Sequence, residues 1–361
     1  MLFSSANPSQ RHFDFARRTE RAVAGWMVRE EAIMGTAIRV ELWAADAKSG
    51  EAAAAAVMDE MHRIDRAMSP HKPGSELCRI NREAARHPVV LSEEMLGLVQ
   101  KARAFSHLTQ GAFDITYAAV GQLYDYRKKV RPSPQALATA QAHVGWQHLE
   151  VDAQARTLRF GVDGMRIDLG GFAKGHAVDN AVALLARRGI RHAYVSAGGD
   201  SRVLGDRRGR PWSVAIRDPR RAGGVVAVLP LEDVSISTSG DYERFFDDGA
   251  ERVHHLIDPA TGISPSGVHS VTILAADGLT SEALSKAVFV LGTERGMALV
   301  ESLAGIDAVI VDAQGNLHAS AGLLRGLALP ATVSANDSQL SDLQNLDSQS
   351  PESQPVRLAC L

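Results

Sequence analysis

The sequence predicts an α+β fold, and three patterns lead to that prediction. Residues 36–43 alternate polar and apolar side chains, with Ile38, Val40 and Leu42 on one face, which is typical of a half-buried strand. Residues 49–68 are rich in alanine and place Ala, Met and Ile on one face of a helix. Beyond these two elements, helices and strands follow one another without a regular β-α-β alternation, which favours α+β over a doubly wound sheet.

The other elements follow from apolar periodicity and turn signals in chain order. Further helices are predicted at residues 93–108, 111–126 (after a Phe-Asp turn), 173–188 and 281–291. Further strands are predicted at residues 149–152, 157–160, 192–196, 212–216, 225–229, 234–238, 270–274 and 308–311. Gly189 directly follows the third of these helices and is typical of a glycine that ends a helix.

The ordered part of the chain is predicted to be one domain, residues 29–330. Residues 1–28 are polar and charged and predict a flexible N-terminal arm. Residues 331–361 are rich in Ser, Gln and Asp and predict a disordered tail, because they bury too little apolar surface to offset the entropy of ordering.

Composition excludes several classes of protein. The 39 Lys and Arg residues nearly balance the 42 Asp and Glu residues, so a nucleic-acid-binding protein is not expected. Two cysteines, Cys78 and Cys360, are too few for a disulfide framework or a zinc site.

Targeting signals are missing from the chain as written. The first thirty residues contain no apolar h-region, and no stretch reaches the ~18 apolar residues of a membrane helix. A cytoplasmic protein without a transmembrane segment is therefore expected. A truncated or misassigned N-terminus would allow a periplasmic location.

One glycine-containing segment has the features of a phosphate site. A strand ending in Asp168 meets Gly170 and Gly171 before a helix opens, and Lys174 adds a positive charge in its first turn. Glycines allow a ligand to approach the backbone, and the helix N-terminus offers N–H groups to a phosphate. The spacing is neither GxGxxG nor a P-loop, and a tight turn beside a surface lysine explains it equally well.

Three later segments combine small, acidic and histidine residues. Residues 196–202 and 237–244 each place small residues and an aspartate after an apolar strand, which suits a polar ligand but also an ordinary hairpin turn. His254 and His255 are adjacent, so on a strand they point to opposite faces and at most one serves a given site.

Taken together and in order, these motifs resemble those of the ApbE family over residues 29–330. The matching segments are Met34-Gly-Thr36, Met68-Ser69 with Ser75-Glu76 and Asn81, GAFDIT at 111–116, IDLGGFAKG at 167–175, AGGD at 197–200 followed by Gly205, Pro211-Trp212 and Asp218-Pro219, STSGDYER at 237–244, and HHLIDPATG at 254–262. The resemblance implies one domain with a mixed, largely antiparallel sheet and flanking helices.

The resemblance also implies an enzyme, an FAD:protein FMN transferase. Such an enzyme binds FAD, cleaves its pyrophosphate, joins FMN by a phosphoester to a Thr or Ser hydroxyl of an acceptor protein, and releases AMP. The implied catalytic residues are His255, Glu282 and Lys286. The implied FAD-binding residues are Met34, His71, Ala112, Phe113, Asp114, Asp168, Lys174 and Leu256. At His71 the family usually has a larger aromatic, and an imidazole stacks with less area.

Apolar walls for the flavin ring are available in Met34, Phe113 and Phe172. For the two phenylalanines, the hydrophobic core is the simpler assignment.

The implied Mg²⁺ site departs from the family pattern. Its ligands would be the Gly171 carbonyl, Glu282 and Ser285, but Glu282 replaces an aspartate and Lys286 replaces a threonine. An ammonium group has no lone pair for a metal and repels it. Three outcomes remain open: Lys286 replaces the metal, it turns away from a distorted metal site, or FAD binds without transfer. The alternatives to a transferase are accordingly a non-catalytic FAD-binding protein or an FAD diphosphatase.

Overall fold

The computed structural model describes residues 20–21, 25–249, 251–327 and 356–357. The strands are β1 (Glu20–Arg21), β2 (Trp26–Ile33), β3 (Thr36–Trp43), β4 (Val89–Val90), β5 (Leu149–Asp152), β6 (Thr157–Phe160), β7 (Ala193–Ala197), β8 (Asp200–Leu204), β9 (Trp212–Arg217), β10 (Val225–Leu231), β11 (Ser235–Gly240), β12 (Phe245–Asp248), β13 (Glu251–His254), β14 (Val268–Ala275), β15 (Asp307–Asp312), β16 (Leu317–Ala319) and β17 (Val356–Arg357). The helices are α1 (Ala47–Met68), α2 (Glu76–Glu83), α3 (Glu93–Leu108), α4 (Ala118–Gly121), α5 (Pro134–Gln141), α6 (Ala173–Arg187), α7 (Gly278–Glu301) and α8 (Ala321–Leu327).

A nine-stranded sheet organises the chain, in the order β1-β2-β3-β7-β8-β11-β14-β15-β16. Every pair of neighbours in it is antiparallel. Smaller sheets are β10-β9-β17, β4-β6-β5 and the hairpin β12-β13. The predicted α+β fold with a mixed, largely antiparallel sheet is therefore confirmed, and β17 supplies a parallel pair with β9.

Helices α1, α6 and α7 cover one face of the large sheet. Their apolar stripes meet strand side chains such as Ile38, Val40 and Leu42, all of which are fully buried in one cluster. The predicted alternation of β3 is thereby confirmed. Burial of each such side chain stabilises the fold by about 1.5–3 kcal/mol relative to exposure.

The other face of the sheet is covered by β9 and β10. Here Tyr194, Trp212 and Ile236 belong to a second apolar cluster. On β14, Ile273 packs on the helix side while Leu274 packs here, because consecutive strand residues point to opposite faces. The sheet therefore separates two cores.

Several elements differ from their predicted form. Residues 111–126 do not form one helix: a 3₁₀ turn at Ile115–Tyr117 leads into the short α4. The reason is that Asp114 accepts hydrogen bonds from Thr116 N and Trp146 N, which anchors this segment to a distant loop. Helix α7 is longer than predicted and is interrupted at Gly292, whose φ is 79°.

Both ends of the predicted domain can be compared with the structure. Strand β2 begins at Trp26, two residues before the predicted end of the N-terminal arm, and pairs with β3 along its whole length. The predicted tail, residues 331–361, lies outside the described residues apart from β17. No helix in the described part of the chain has the length and apolar character that crossing a membrane requires.

Candidate active site

Two glycines bring helices α6 and α7 into backbone contact. A Cβ atom added to Gly175 would lie 2.2 Å from the carbonyl oxygen of Gly278, so only hydrogen fits there. Asp179 of α6 then accepts hydrogen bonds from Gly278 N at 2.8 Å and Leu279 N at 3.0 Å, which holds the first turn of α7. This contact fixes Glu282, one turn further along α7, against the first turn of α6.

Four charged side chains meet at this contact, and we call them the ion cluster: Lys174, Asp200, Glu282 and Lys286. Lys174 Nζ donates to Glu282 Oε1 at 2.6 Å and to Asp200 Oδ2. Lys286 Nζ donates to Glu282 Oε1 at 3.2 Å and lies 4.0 Å from Asp200 Oδ1. The Gly175 amide donates to Glu282 Oε2 at 2.7 Å. Helix α6, strand β8 and helix α7 each contribute to the cluster.

The acidic side chains of the ion cluster are more deeply buried than its lysines. The side chains of Asp200 and Glu282 are 3% and 0% exposed, whereas those of Lys174 and Lys286 are 24% and 18% exposed. Burial acts to lower the pKa of Lys174, but the two carboxylates outweigh it and raise that pKa. Burial acts to raise the pKa of Asp200, but Lys174 and Lys286 lower it. The partly exposed side chains of the cluster are therefore its two lysines, and its two carboxylates are buried.

Buried hydroxyl groups of β11 and α7 form a hydrogen-bond network beside the ion cluster. Ser237 Oγ donates to Asp200 Oδ1 at 2.5 Å. Ser285 Oγ donates to the Glu282 carbonyl oxygen at 2.9 Å and lies 2.8 Å from Ser239 Oγ. Ser285 is fully buried, and its hydroxyl serves this internal network.

The residues at the implied metal site do not fit Mg²⁺. Mg²⁺ needs oxygen ligands in near-octahedral geometry. Both oxygens of Glu282 are already engaged, Oε1 by two ammonium groups and Oε2 by the Gly175 amide. Lys286 stands where a further ligand is expected, and no group of three His, Cys, Asp or Glu residues suited to a metal occurs in the described ranges.

The glycine turn before α6 lies directly against Lys286. A Cβ on Gly171 would lie 3.4 Å from Lys286 Cε. Gly170 N donates to Asp168 Oδ1 at 2.6 Å, and burial raises the pKa of Asp168. The sequence suggested that N–H groups at the α6 N-terminus are free to bind a phosphate. In the structure, the Gly175 amide donates to Glu282 instead.

His255 lies close enough to Arg244, Lys286 and Lys174 for their charges to act on its pKa. The ring nitrogen His255 Nδ1 is buried without a hydrogen-bond partner among the described residues. Burial first, and then the positive charge of Arg244, lower the pKa of His255 to about 3. Arg244 is exposed, acts on the pKa of Asp168, and its Nη2 would lie 3.9 Å from a Cβ on Gly35. The site thus contains a neutral imidazole beside a cation.

The lowered pKa of His255 predicts a pH dependence of stability. In an unfolded chain the ring titrates at its ordinary pKa of 6.5, so between this value and about 3 the unfolded state binds more protons than the folded state. The free energy of unfolding therefore falls as pH falls through that range, by up to about 1.4 kcal/mol per pH unit.

The variant His255→Gln should show a shallower decline in urea unfolding measured from neutral pH downwards. His87→Gln, which changes an exposed ring, is the matched control. Equal slopes for the two variants would contradict a neutral His255 in the folded protein.

The remaining predicted site residues lie at varied depths. Met34 is partly buried, with a φ of 56° in the β2–β3 turn, and His71 is exposed and acts on the pKa of Asp168. The side chains of Ala112, Phe113 and Leu256 are 7%, 5% and 6% exposed.

Contacts within the protein account for three further groups of predicted residues. Phe113 and Phe172 contact each other in the core, with ring centroids 5.6 Å apart, as the simpler assignment expected. Both oxygens of Asp114 bond protein groups. His254 packs edge-on against Phe289 and its Nε2 lies 2.9 Å from the Pro265 carbonyl oxygen, so this ring is held by neighbouring protein groups.

Sequence reasoning missed four residues of this site: Asp200, Ser237, Ser239 and Arg244. All four lie within residues 196–202 and 237–244, the two segments that the sequence marked as suited to a polar ligand. Their positions could be found from the motifs, but their partners could not, because Asp200 and Lys174 are 26 residues apart and meet only in the folded protein.

The chain is similar to a known protein family and to proteins of known function. The model of the ApbE family matches residues 34–310. The FAD:protein FMN transferase of Treponema pallidum (strain Nichols) is 32% identical over 315 residues, covering 82% of this chain and 87% of that protein. The enzyme of the same name from Klebsiella pneumoniae (strain 342) is 34% identical over 277 residues, covering 74% and 79%.

Solved structures are similar as well. The ApbE protein from Thermotoga maritima matches with a TM-score of 0.77 and 32% identity, covering 82% of this chain and 97% of that one. The flavin transferase ApbE from Vibrio cholerae matches with a TM-score of 0.75 and 28% identity, covering 85% and 99%.

Proposed function

This chain belongs to the ApbE family, and from that membership and the geometry of its site we propose that it is an FAD:protein FMN transferase. The observation that carries the proposal is the pair of lysines beside the start of helix α6, Lys174 and Lys286, whose side chains are partly exposed, with Lys286 against Gly171. Pyrophosphate cleavage needs positive charge where negative charge develops, and these groups supply it.

The proposed reaction is an in-line displacement at phosphorus. The hydroxyl oxygen of a Thr or Ser on the acceptor protein attacks the phosphorus on the FMN side of the pyrophosphate. The bond from that phosphorus to the bridging oxygen breaks, and AMP leaves with the bridging oxygen. The hydroxyl proton passes to solvent or to the AMP phosphate, so FAD and the hydroxyl give the FMN phosphoester and AMP.

His255 and Arg244 are proposed to act on the same substrate. The unpaired Nδ1 of His255 is available to a substrate hydroxyl or phosphate, and the fixed charge of Arg244 attracts the dinucleotide. The proposed flavin contacts are Met34, His71, the segment 112–114, Asp168 and Leu256. The segment 112–114 and Leu256 are buried, so they would contact FAD through backbone groups.

A transfer assay tests the proposed function. The purified chain is incubated with FAD and a threonine-containing peptide, and the products are examined by mass spectrometry and by chromatography of nucleotides. We expect the peptide to gain one FMN phosphoester and AMP to appear in equal amount.

The same assay separates the alternatives. AMP released without peptide modification would indicate an FAD diphosphatase. FAD binding without either product, with peptides and protein extracts alike as acceptors, would indicate a non-catalytic FAD-binding protein. Either result would contradict the transferase.

A further inference from the structure

We propose that Lys286 takes the place of a divalent metal in this chain, so that FAD binding and FMN transfer do not depend on Mg²⁺. The inference deepens the proposed function and rests on it, because it states how the same site neutralises the pyrophosphate.

The exposure of the charged side chains in the ion cluster supports this inference. A metal site needs carboxylate oxygens turned toward the ion and the substrate. Here the side chains of Asp200 and Glu282 are buried, whereas the side chains of Lys174 and Lys286 are partly exposed. A phosphate entering beside the glycine turn would therefore reach the lysine side chains before the carboxylates.

Both oxygens of the Glu282 carboxylate already accept hydrogen bonds from protein donors. Glu282 Oε1 accepts hydrogen bonds from Lys174 at 2.6 Å and from Lys286 at 3.2 Å. A dication at this oxygen would have to displace both ammonium groups, and like charges at such distances repel. Glu282 Oε2 accepts a hydrogen bond from the Gly175 amide at 2.7 Å, so a carboxylate that turned toward a metal would lose this bond.

Lys286 has N–H donors that its bond to Glu282 does not use. An ammonium group has three N–H donors. Among the described residues, Lys286 Nζ makes one hydrogen bond, to Glu282, which leaves donors for phosphate oxygens. Its Cε lies beside Gly171, where the absence of a side chain on the glycine gives the ammonium access to a ligand in the turn.

The position of Lys286 is fixed before a ligand arrives. The contact of Gly175 with Gly278, and the hydrogen bonds from α7 to Asp179, hold the α7 turn that carries Glu282. A pre-positioned cation needs little reorganisation when negative charge develops, which is what transition-state stabilisation requires. In the transfer step, this charge falls on the bridging oxygen that leaves with AMP.

The test begins with the wild-type chain, which needs no variant to fold. FAD affinity is measured by flavin fluorescence, and AMP release in the peptide assay, each in excess EDTA and in millimolar Mg²⁺. Mg²⁺ binding to the FAD-free chain is measured by calorimetry. We expect equal FAD affinity and equal AMP release in both conditions, and no heat of Mg²⁺ binding.

Variants give the second part of the test. Lys286→Ala should weaken FAD binding in EDTA roughly tenfold or more, because a charge-assisted hydrogen bond is lost. Lys101→Ala, at an exposed position of α3, is the matched control and should bind FAD like the wild type. The double variant Glu282→Asp with Lys286→Thr should bind Mg²⁺ and gain FAD affinity when Mg²⁺ is added.

The outcomes separate this inference from the proposed function. Transfer that occurs only with Mg²⁺ would overturn the inference and leave the transferase standing. Unchanged FAD affinity in Lys286→Ala, or a double variant indifferent to Mg²⁺, would also overturn it. A wild-type chain that binds no FAD in either condition would overturn the proposed function, and this inference with it.

Discussion

Replacing Gly175 with alanine is expected to destabilise the fold by about 3 kcal/mol or more and to abolish most of the transfer activity. The new methyl carbon would lie 2.2 Å from the Gly278 carbonyl oxygen, which belongs to the backbone and cannot turn aside like a side chain. Helices α6 and α7 must move apart, and the hydrogen bond from the Gly175 amide to Glu282 is lost with the geometry of the ion cluster.

The matched control is Gly97→Ala in helix α3. A Cβ on Gly97 has nothing within 4 Å, so alanine should stabilise that helix by about 0.5–1 kcal/mol. Thermal unfolding should separate the two variants, with a melting temperature lower by roughly 6 °C or more for Gly175→Ala. Similar melting temperatures would mean that the helices tolerate separation, and the close contact would then have no structural importance.

Replacing Lys174 with methionine is expected to lower both stability and activity. It leaves the buried Asp200 and Glu282 with Lys286 as their remaining partner in the ion cluster, and breaking a buried ion pair in this way costs about 3–5 kcal/mol. It also removes a cation from the phosphate site, which should lower kcat/KM for AMP release by about 100-fold or more.

A double-mutant cycle with Glu282→Gln separates the two effects. The double variant has one carboxylate and one ammonium in the cluster, so its loss of stability should be smaller than the sum of the single losses by about 1–3 kcal/mol. Its activity should stay low, because the lost ammonium is not restored. Additive losses in urea unfolding would show that Lys174 and Glu282 are not coupled, and recovery of activity would show that Lys174 has no role beyond stability.

Much of the fold follows from local patterns along the chain. The period of apolar residues gave the bounds of β3, β5, β6 and α3 as the structure has them, because each has one face in a core and one outside. The segment 111–126 could not be predicted in this way, since the hydrogen bond from Trp146 N to Asp114, 32 residues apart, redirects it.

The sequence, through its resemblance to the ApbE family, predicted which segments carry chemistry and that Glu282 and Lys286 depart from the metal ligands of that family. Only the tertiary structure decided what those two residues do. On an exposed helix they would form a weak pair, but in this protein Glu282 is fully buried and shared by two lysines. That arrangement depends on the contact between Gly175 and Gly278, because two helix backbones must touch before residues from α6, β8 and α7 can reach one another.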